Sequence, residues 1–251
     1  MTPAGGIVLE RSASGARADV ALAIPPVNVL TAELLVELAE AVRAAPPARL
    51  LVLEGLPKAF CAGVDVADHV PDPSRIDRML GAMRRVLEAL VGAEAVTLAS
   101  VSGACLGGGA EIVAACDLVL IAEDARVGFP EIRLACFPPG AAALLPGRVG
   151  EARAAEWILT GRVLSGREAA EAGLASRAVP AGRLADETEA LAARILSAAP
   201  AALSAARNLL RRSRRDALAS RLPAAEEAYR ALAGDADLER AVREFGERRG
   251  R

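Results

Sequence analysis

Short apolar runs alternate with amphipathic stretches over the first two thirds of the chain. Apolar positions in residues 7–9 and 19–24, separated by a turn around Ser14-Gly15, predict two short strands. Pro25-Pro26 ends the second. Thr31 stands where a helix over 31–44 needs its cap, with Leu34, Leu35, Leu38 and Val42 on one face, and Pro46-Pro47 stops that helix. Leu50-Leu-Val-Leu53 is apolar without interruption, the mark of a strand buried on both faces. Residues 55–71 read as loop, and Ser74-x-x-Asp77 reads as a capping box opening a helix to about residue 90. A strand over 96–101, a glycine cluster, a helix over 108–116 and a strand over 118–121 follow. Strand, crossover helix and strand recur at intervals of roughly 45 residues, which predicts an α/β fold with mainly parallel pairing and helices outside.

After Pro146 the pattern turns helical. Helices are expected over 151–159, after a capping box at Ser165-x-x-Glu168, and over 185–199, 201–214 and 223–245, with breaks at Gly173, Pro180, Pro200 and Gly234. The division expected is an α/β core over 1–190 and a helical region over 191–251. The broad apolar face of the latter suits packing on another subunit or folding back on its own chain.

Composition narrows the chemistry. A chain of 251 residues, 53% of them hydrophobic, can build one substantial core without disulfides or metal. No run of eighteen apolar residues lacks a charge or a breaker, so no membrane span is expected. Residues 1–11 carry no basic cluster followed by an apolar stretch, so the expected location is the cytoplasm. A net charge of −2 argues against a general nucleic-acid binder. Cys61, Cys105, Cys116 and Cys136 form no C-x-x-C pair and read as small buried thiols, not as disulfide partners or zinc ligands. His69 is the only histidine and there is no G-x-S-x-G elbow, so a nucleophilic triad would rest on His69 alone. Acid–base work falls to carboxylates.

The most informative segment is Val101-Ser-Gly-Ala-Cys-Leu-Gly-Gly-Gly-Ala-Glu111. Consecutive glycines between a strand and a helix let the backbone turn sharply and approach a ligand, and the first amides of the helix point outward with its positive end behind them. That makes an oxyanion or phosphate site from main chain; a tight structural turn is the plainer alternative. The spacing of Gly107, Gly108 and Gly109 does not meet the dinucleotide pattern, and no lysine serves a phosphate loop there. Lys58-Ala-Phe-Cys-Ala-Gly-Val-Asp65 offers the other half of a two-amide hole. Glu111 lies in the first turn after the glycines, and Glu131 follows in Val127-Gly-Phe-Pro-Glu131. Each carboxylate alone suits a cap or an ion pair. Two at one glycine-built cleft can divide the labour, one ionised and accepting a proton, the other kept neutral and donating one.

Phe60-Cys-Ala-Gly-Val-Asp65, Gly103-Ala-Cys-Leu-Gly-Gly-Gly-Ala-Glu111, Cys116-Asp117 and Pro130-Glu131 together resemble the enoyl-CoA hydratase/isomerase (crotonase) superfamily, and the likeness continues through Thr160-Gly161 and residues 169–173. The resemblance implies a crotonase (ClpP/crotonase-like) spiral of ββα units, a C-terminal helical trimerisation region, and a homotrimer or hexamer built as a dimer of trimers. It implies an acyl-CoA thioester as substrate, with no cofactor beyond the coenzyme A the substrate carries and no metal. The thioester oxygen would sit between the amides of Val64 and Gly108, Glu111 and Glu131 would match the two hydratase carboxylates, and Ala62, Gly63, Asp65, Gly107, Phe129 and Pro139 would line the substrate site. Retention of both carboxylates favours adding or removing water over isomerisation by one base.

Val66-Ala-Asp-His-Val-Pro71, Ala135-Cys-Phe-Pro-Pro139 and Asn28-Val-Leu resemble the cyclohexa-1,5-dienecarbonyl-CoA hydratase branch. Phe129 replaces the polar residue usual before Pro-Glu, and Pro139 replaces a usual glycine, removing an N–H. Both changes suit a flatter, apolar ring pocket. Asp65 is expected to hold its loop through local amides. His69 is assigned to a surface loop, with the acyl pocket as alternative. Arg207, Arg211, Arg214 and Arg215 share a helical face that reads as solvated or as a wall for coenzyme phosphates. The rival functions are another reaction on the same fold, such as isomerisation or decarboxylation, an acyl-CoA-binding protein with a vestigial site, and RNA binding through the arginine face.

Overall fold

The computed structural model describes residues 5–69 and 72–249. Residues 1–4 and Val70-Pro71, which fall within two of the segments read above, lie outside the described residues, as does the side chain of His69. A hairpin of β1 (Gly6–Arg11) and β2 (Arg17–Ala23) opens the chain, followed by the short β3 (Val29–Leu30). In α1 (Ala32–Ala44) the Thr31 hydroxyl accepts from the Leu34 amide at 3.3 Å, as its position predicts. β4 (Leu50–Glu54) has four fully buried residues in a row. β5 (Ala59–Cys61), β6 (Gly63–Val64), a 3₁₀ turn over Val66–His69, α2 (Pro73–Gly92), β7 (Val96–Val101), β8 (Ala104–Leu106) and α3 (Gly108–Ala115) come next. β9 (Leu118–Ala122), β10 (Arg126–Gly128) and a 3₁₀ turn over Pro130–Leu134 lead to α4 (Pro139–Leu144), α5 (Pro146–Val149) and α6 (Glu151–Thr160). β11 (Val163–Ser165), α7 (Gly166–Ala172) and β12 (Arg177–Val179) precede α8 (Leu184–Leu196), α9 (Pro200–Leu210), α10 (Arg212–Arg230) and α11 (Ala236–Arg249).

The strands sort into a six-stranded sheet, ordered β1-β2-β4-β7-β9-β12, and a four-stranded sheet, ordered β11-β10-β8-β5, with β3 and β6 paired apart. Within the larger sheet every neighbour after the hairpin is parallel. Successive turns of chain each give one strand to the large sheet and the next to the small one: β4 then β5, β7 then β8, β9 then β10. This is the spiral of ββα units that the motifs imply, and parallel pairing forces each return through a helix or long connection.

Three local expectations are corrected. Residues 55–71 hold β5, β6 and a 3₁₀ turn where a loop is predicted. Strands of two or three residues carry too little periodicity to read, and these are held by distant partners, β8 and β3. α2 begins before Ser74: Asp72 is the cap, its Oδ1 accepting from the amides of Ser74 at 2.8 Å and Arg75 at 3.4 Å, with Pro73 at the first helical position. Pro223 lies inside α10 where a helix start is predicted, and the break falls at Arg211. Leu218 and Leu222 before that proline, and Glu226 and Tyr229 after it, are all buried, so packing holds the helix through it. The capping box at Ser165 and Glu168 forms reciprocally as predicted.

One large apolar cluster lies between the sheets and their helices and takes in Leu218 and Leu222 of α10. A smaller one joins Ile76, Met79 and Leu80 of α2 to Cys136, Tyr229, Leu238 and Val242. The last helices therefore fold back on their own chain. All four cysteines are buried and free.

Of the arginine face, Arg215 is exposed and Arg207 half-buried, whereas Arg211 and Arg214 are neither solvated nor part of the cavity described below. Arg211 is 0% exposed and binds Asp117, with the carbonyls of Ala93 and Ala95. Arg214 pairs with Asp117 at 2.5 Å and donates to the carbonyls of Ala115 and Cys116. Arg148 donates to Ala114 O at 3.0 Å and to Cys116 O. Burial pushes the Asp117 carboxyl up, but the hydrogen bond and charge of Arg211, the Thr97 amide and Arg214 outweigh it and hold it below the ordinary range. Removing Arg211 takes one of two cationic partners from the buried Asp117 and leaves the carbonyls of Ala93 and Ala95 without their donor. Arg211→Leu should lower the unfolding free energy by about 3–5 kcal/mol, whereas Arg212→Leu, at an exposed position, should change it little; denaturant titration of both variants tests this.

Candidate active site

β8 delivers the chain to Gly107, whose amide donates to Gly128 O of β10 at 2.9 Å. Gly107 is the N-cap of α3 with φ +53° and ψ −124°, a conformation open to glycine alone among ordinary residues, and no side chain caps the helix. The first N–H groups of α3 therefore have no acceptor within the helix. A Cβ on Gly107 would stand 2.7 Å from Glu131 Oε1. One on Gly108 would meet Val64 Cγ2 and Met83 Cε at 2.7 Å, with Val64 N at 3.7 Å. Only a bare backbone can bring the start of α3 this close to β6.

The approach of β6 is fixed from its other side. Asp65 N donates to Leu30 O at 2.9 Å, and Ala62 N to Val27 O at 3.0 Å. Val64, between these two anchors, brings its nitrogen to the start of α3, 3.7 Å from where a Cβ on Gly108 would stand. Asn28 anchors the preceding strand, its Nδ2 donating to Ala59 O at 3.0 Å and Phe60 O at 2.9 Å. Asp65 holds its loop as expected, accepting from Ala67 N at 3.1 Å.

Val64, Gly107, Gly108, Glu111, Glu131 and Pro139 line one cavity of about 300 Å³, with Ala62 and Gly63 beside them. Glu111 is 4% exposed, and its Oε1 accepts from Ala141 N at 2.9 Å with the Gly140 amide also bonded to the carboxylate. Pro139 opens α4 and so leaves the next two amides to serve Glu111. Burial raises Glu111 to about 7, against the pull of those two amides. Glu131 is pushed up to about 8 by burial and then by the charge of Glu111. Its Oε2 is buried with no hydrogen-bond partner. Two carboxyls raised toward neutrality thus share one cavity, Glu111 eased by two amides of α4 and Glu131 raised further by the charge of Glu111.

Two predicted lining residues fall elsewhere. Phe129 is 0% exposed and belongs to the large apolar cluster. Asp65 supports the β6 loop and is not part of the cavity wall. The far wall was not legible in the motifs. It comes from α2 through Met79, Met83 and Arg84, from Phe137, and from Leu222, Glu226 and Tyr229 of α10. Phe137 and Tyr229 stack at 5.7 Å between ring centroids with a 55° tilt. Arg84 Nε donates to Glu226 Oε1 at 2.9 Å, a buried tie joining the two helices across the cavity. Burial on α10 at Leu222, Glu226 and Tyr229, three and four residues apart, is the helical spacing that could have pointed there. Among the described residues no group of three or more histidine, cysteine or acidic side chains is placed to hold a metal, and no helix is long and apolar enough to cross a membrane.

Comparison with known proteins agrees with this geometry. Residues 13–251 match the enoyl-CoA hydratase/isomerase family. A probable enoyl-CoA hydratase of Rhizobium meliloti is 38% identical over 183 residues, 71% of each chain. The cyclohexa-1,5-dienecarbonyl-CoA hydratase of Thauera aromatica is 36% identical over 169 residues, 66% of this chain and 64% of that one. The human mitochondrial delta3-delta2-enoyl-CoA isomerase, at 20% identity, has the same fold, with a TM-score of 0.87 over 96% of this chain and 97% of that one.

Two outcomes test the geometry. Gly107→Ala puts a Cβ at the Glu131 oxygen in a backbone conformation it disfavours, and should displace that carboxylate and lower thermal stability; circular dichroism melting and a structure of the variant check it. Both carboxyls titrate above their ordinary 4.5 when folded, so the stability gained by keeping them neutral is full below about pH 4.5 and lost as pH rises through 7 to 8. Glu131→Gln should therefore melt above wild type at pH 8.5, the gap closing toward pH 4.5.

Proposed function

Because the chain belongs to the enoyl-CoA hydratase/isomerase family, we propose that it is an enoyl-CoA hydratase, adding water reversibly across the α,β double bond of an acyl-CoA thioester. The observation that carries this reading is the pairing of buried Glu111 with half-buried Glu131 in one cavity lined also by Val64 and Gly108. As water adds to the β carbon, negative charge gathers on the thioester oxygen. Two main-chain donors at that oxygen are each worth on the order of 100- to 1,000-fold. One carboxylate takes a proton from the attacking water, and the carboxylic acid gives a proton to the α carbon. The proton count of the pair is restored at the end, and elimination runs the same steps backward. A single base would serve isomerisation, so two carboxyls favour hydration. The chemistry draws on no cofactor beyond the coenzyme A of the substrate.

A cyclic dienoyl thioester is the acyl class we favour. The Phe137-Pro138-Pro139 segment of the motif shared with that branch lines the cavity beside Tyr229, and about 300 Å³ exceeds the roughly 150 Å³ that holds a benzene ring. The relative from Thauera aromatica carries that activity in its name. For the assembly we propose a homotrimer or dimer of trimers through the C-terminal helices of residues 191–251, supported by Leu209 and Leu210 of α9, which stand 66% and 76% exposed. A cytoplasmic setting accords with four free thiols.

Incubation with crotonyl-CoA and with cyclohexa-1,5-dienecarbonyl-CoA, followed by mass spectrometry, should show the gain of one water, faster on the cyclic ester. Absence of water gain on both would sink the hydratase reading. Glu111→Gln and Glu131→Gln should each keep binding the thioester and lose about 100- to 10,000-fold in turnover. The rate should fall below pH 7, where both carboxyls carry protons, and above pH 8, where neither does; a flat profile from pH 5 to 10 would refute the shared-proton mechanism.

A further inference from the structure

A second concavity, of about 610 Å³, lies between the segment 47–49, the end of α2 and the helix α9. It shares no lining residue with the acyl cavity and sits eight residues, about 12 Å of helix, beyond Arg84 on α2. Three arginines line it, the half-buried Arg49 and Arg207 and the exposed Arg215, against one carboxylate, the exposed Glu94. Among the described residues each guanidinium has neutral partners only. Arg49 donates to Leu196 O at 3.0 Å and Ala198 O at 3.3 Å. Arg207 Nη2 donates to Ser204 Oγ and Asn208 Oδ1, both at 3.1 Å. Arg215 Nε reaches only Val91 O, at 3.5 Å. Arg207 Nε is buried with no hydrogen-bond partner.

This arrangement is costly as it stands. A buried donor left unpaired costs more than most hydrogen bonds contribute, and more when it is charged. Burial, and then the neighbouring charges of Arg211 and Arg215, act against the cation at Arg207, which Asp117 and Glu94 offset only in part. Arg211 is bound to Asp117 and so is already matched. Arg49, Arg207 and Arg215 are not. What the concavity lacks is an acceptor with several anionic oxygens, and a planar guanidinium fork matches the oxygens of a phosphate two at a time.

We propose that this concavity binds a small phosphate-bearing anion, free or carried on an organic ester, through Arg207 Nε and the guanidinium groups of Arg49 and Arg215. The site stands apart from the chemistry at Glu111 and Glu131, so it does not depend on the hydratase reading. It shares no lining residue with the acyl cavity.

The test is calorimetric titration of the full chain, in dilute chloride buffer, with inorganic phosphate and separately with glycerol 3-phosphate. At least one should bind saturably with one equivalent per chain, and Arg207→Gln and Arg215→Gln should each weaken that binding tenfold or more. Tighter binding of the ester assigns the site to an organic phosphate; equal binding assigns it to the free ion. Hydration of crotonyl-CoA without phosphate, and the subunit count by light scattering, should be those of wild type in both variants. The proposal fails if neither anion saturates, or if Arg207→Gln binds as wild type does. It fails also if that variant alters the subunit count, since the arginines would then face a carboxylate of a second copy.

Discussion

Everything at the cavity depends on α3 being held firmly at its C-terminal end. All eight of its residues are buried, so its terminal amides and carbonyls cannot turn to water. At the C-terminal end Arg148 and Arg214 bind the carbonyls of Ala114, Ala115 and Cys116, and Arg211 holds Asp117. Positive charge there complements the negative end of the helix dipole. At the other end nothing caps it, and the free amides open onto the cavity. A buried helix left bare at one end is tolerable only where the other end is this firmly held.

The same burial sets the acid–base chemistry. Glu111 rides on α3 and Glu131 on the turn after β10, so the carboxyls come from successive turns of the spiral and meet through the pairing of β8 with β10. Desolvation raises both, and the two amides of α4 then favour ionisation of Glu111 over Glu131. The asymmetry needed for one group to accept while the other donates arises from backbone, not from any third side chain.

Legibility in the sequence followed the range of the interactions. Long apolar runs such as Leu50-Leu-Val-Leu53, and local devices such as the Ser165 capping box, could be read directly because their causes lie within a few residues. The glycine segment and the two glutamates were legible because a bare backbone and a carboxylate each have few uses. β5, β6 and β8 were missed because two- and three-residue strands exist only through distant pairing. Phe129 was placed at the site for its position beside Pro130, but a ring that can join the core does so. The burial of Arg211 and Arg214 is not legible in α9 and α10, because Asp117, some ninety residues away, lies beneath them.

The tie between Arg84 and Glu226 has a consequence for what the pocket admits. It spans the inner wall between α2 and α10, and parting it would leave a carboxylate with 2% exposure facing only the more distant Arg230. Arg84, Glu226 and Tyr229 all line the cavity, so enlarging it on this side would part α2 from α10. Under the proposed function the C-terminal helices would thus bound the acyl chain that fits, because room beyond the cavity would come only at the cost of parting two helices.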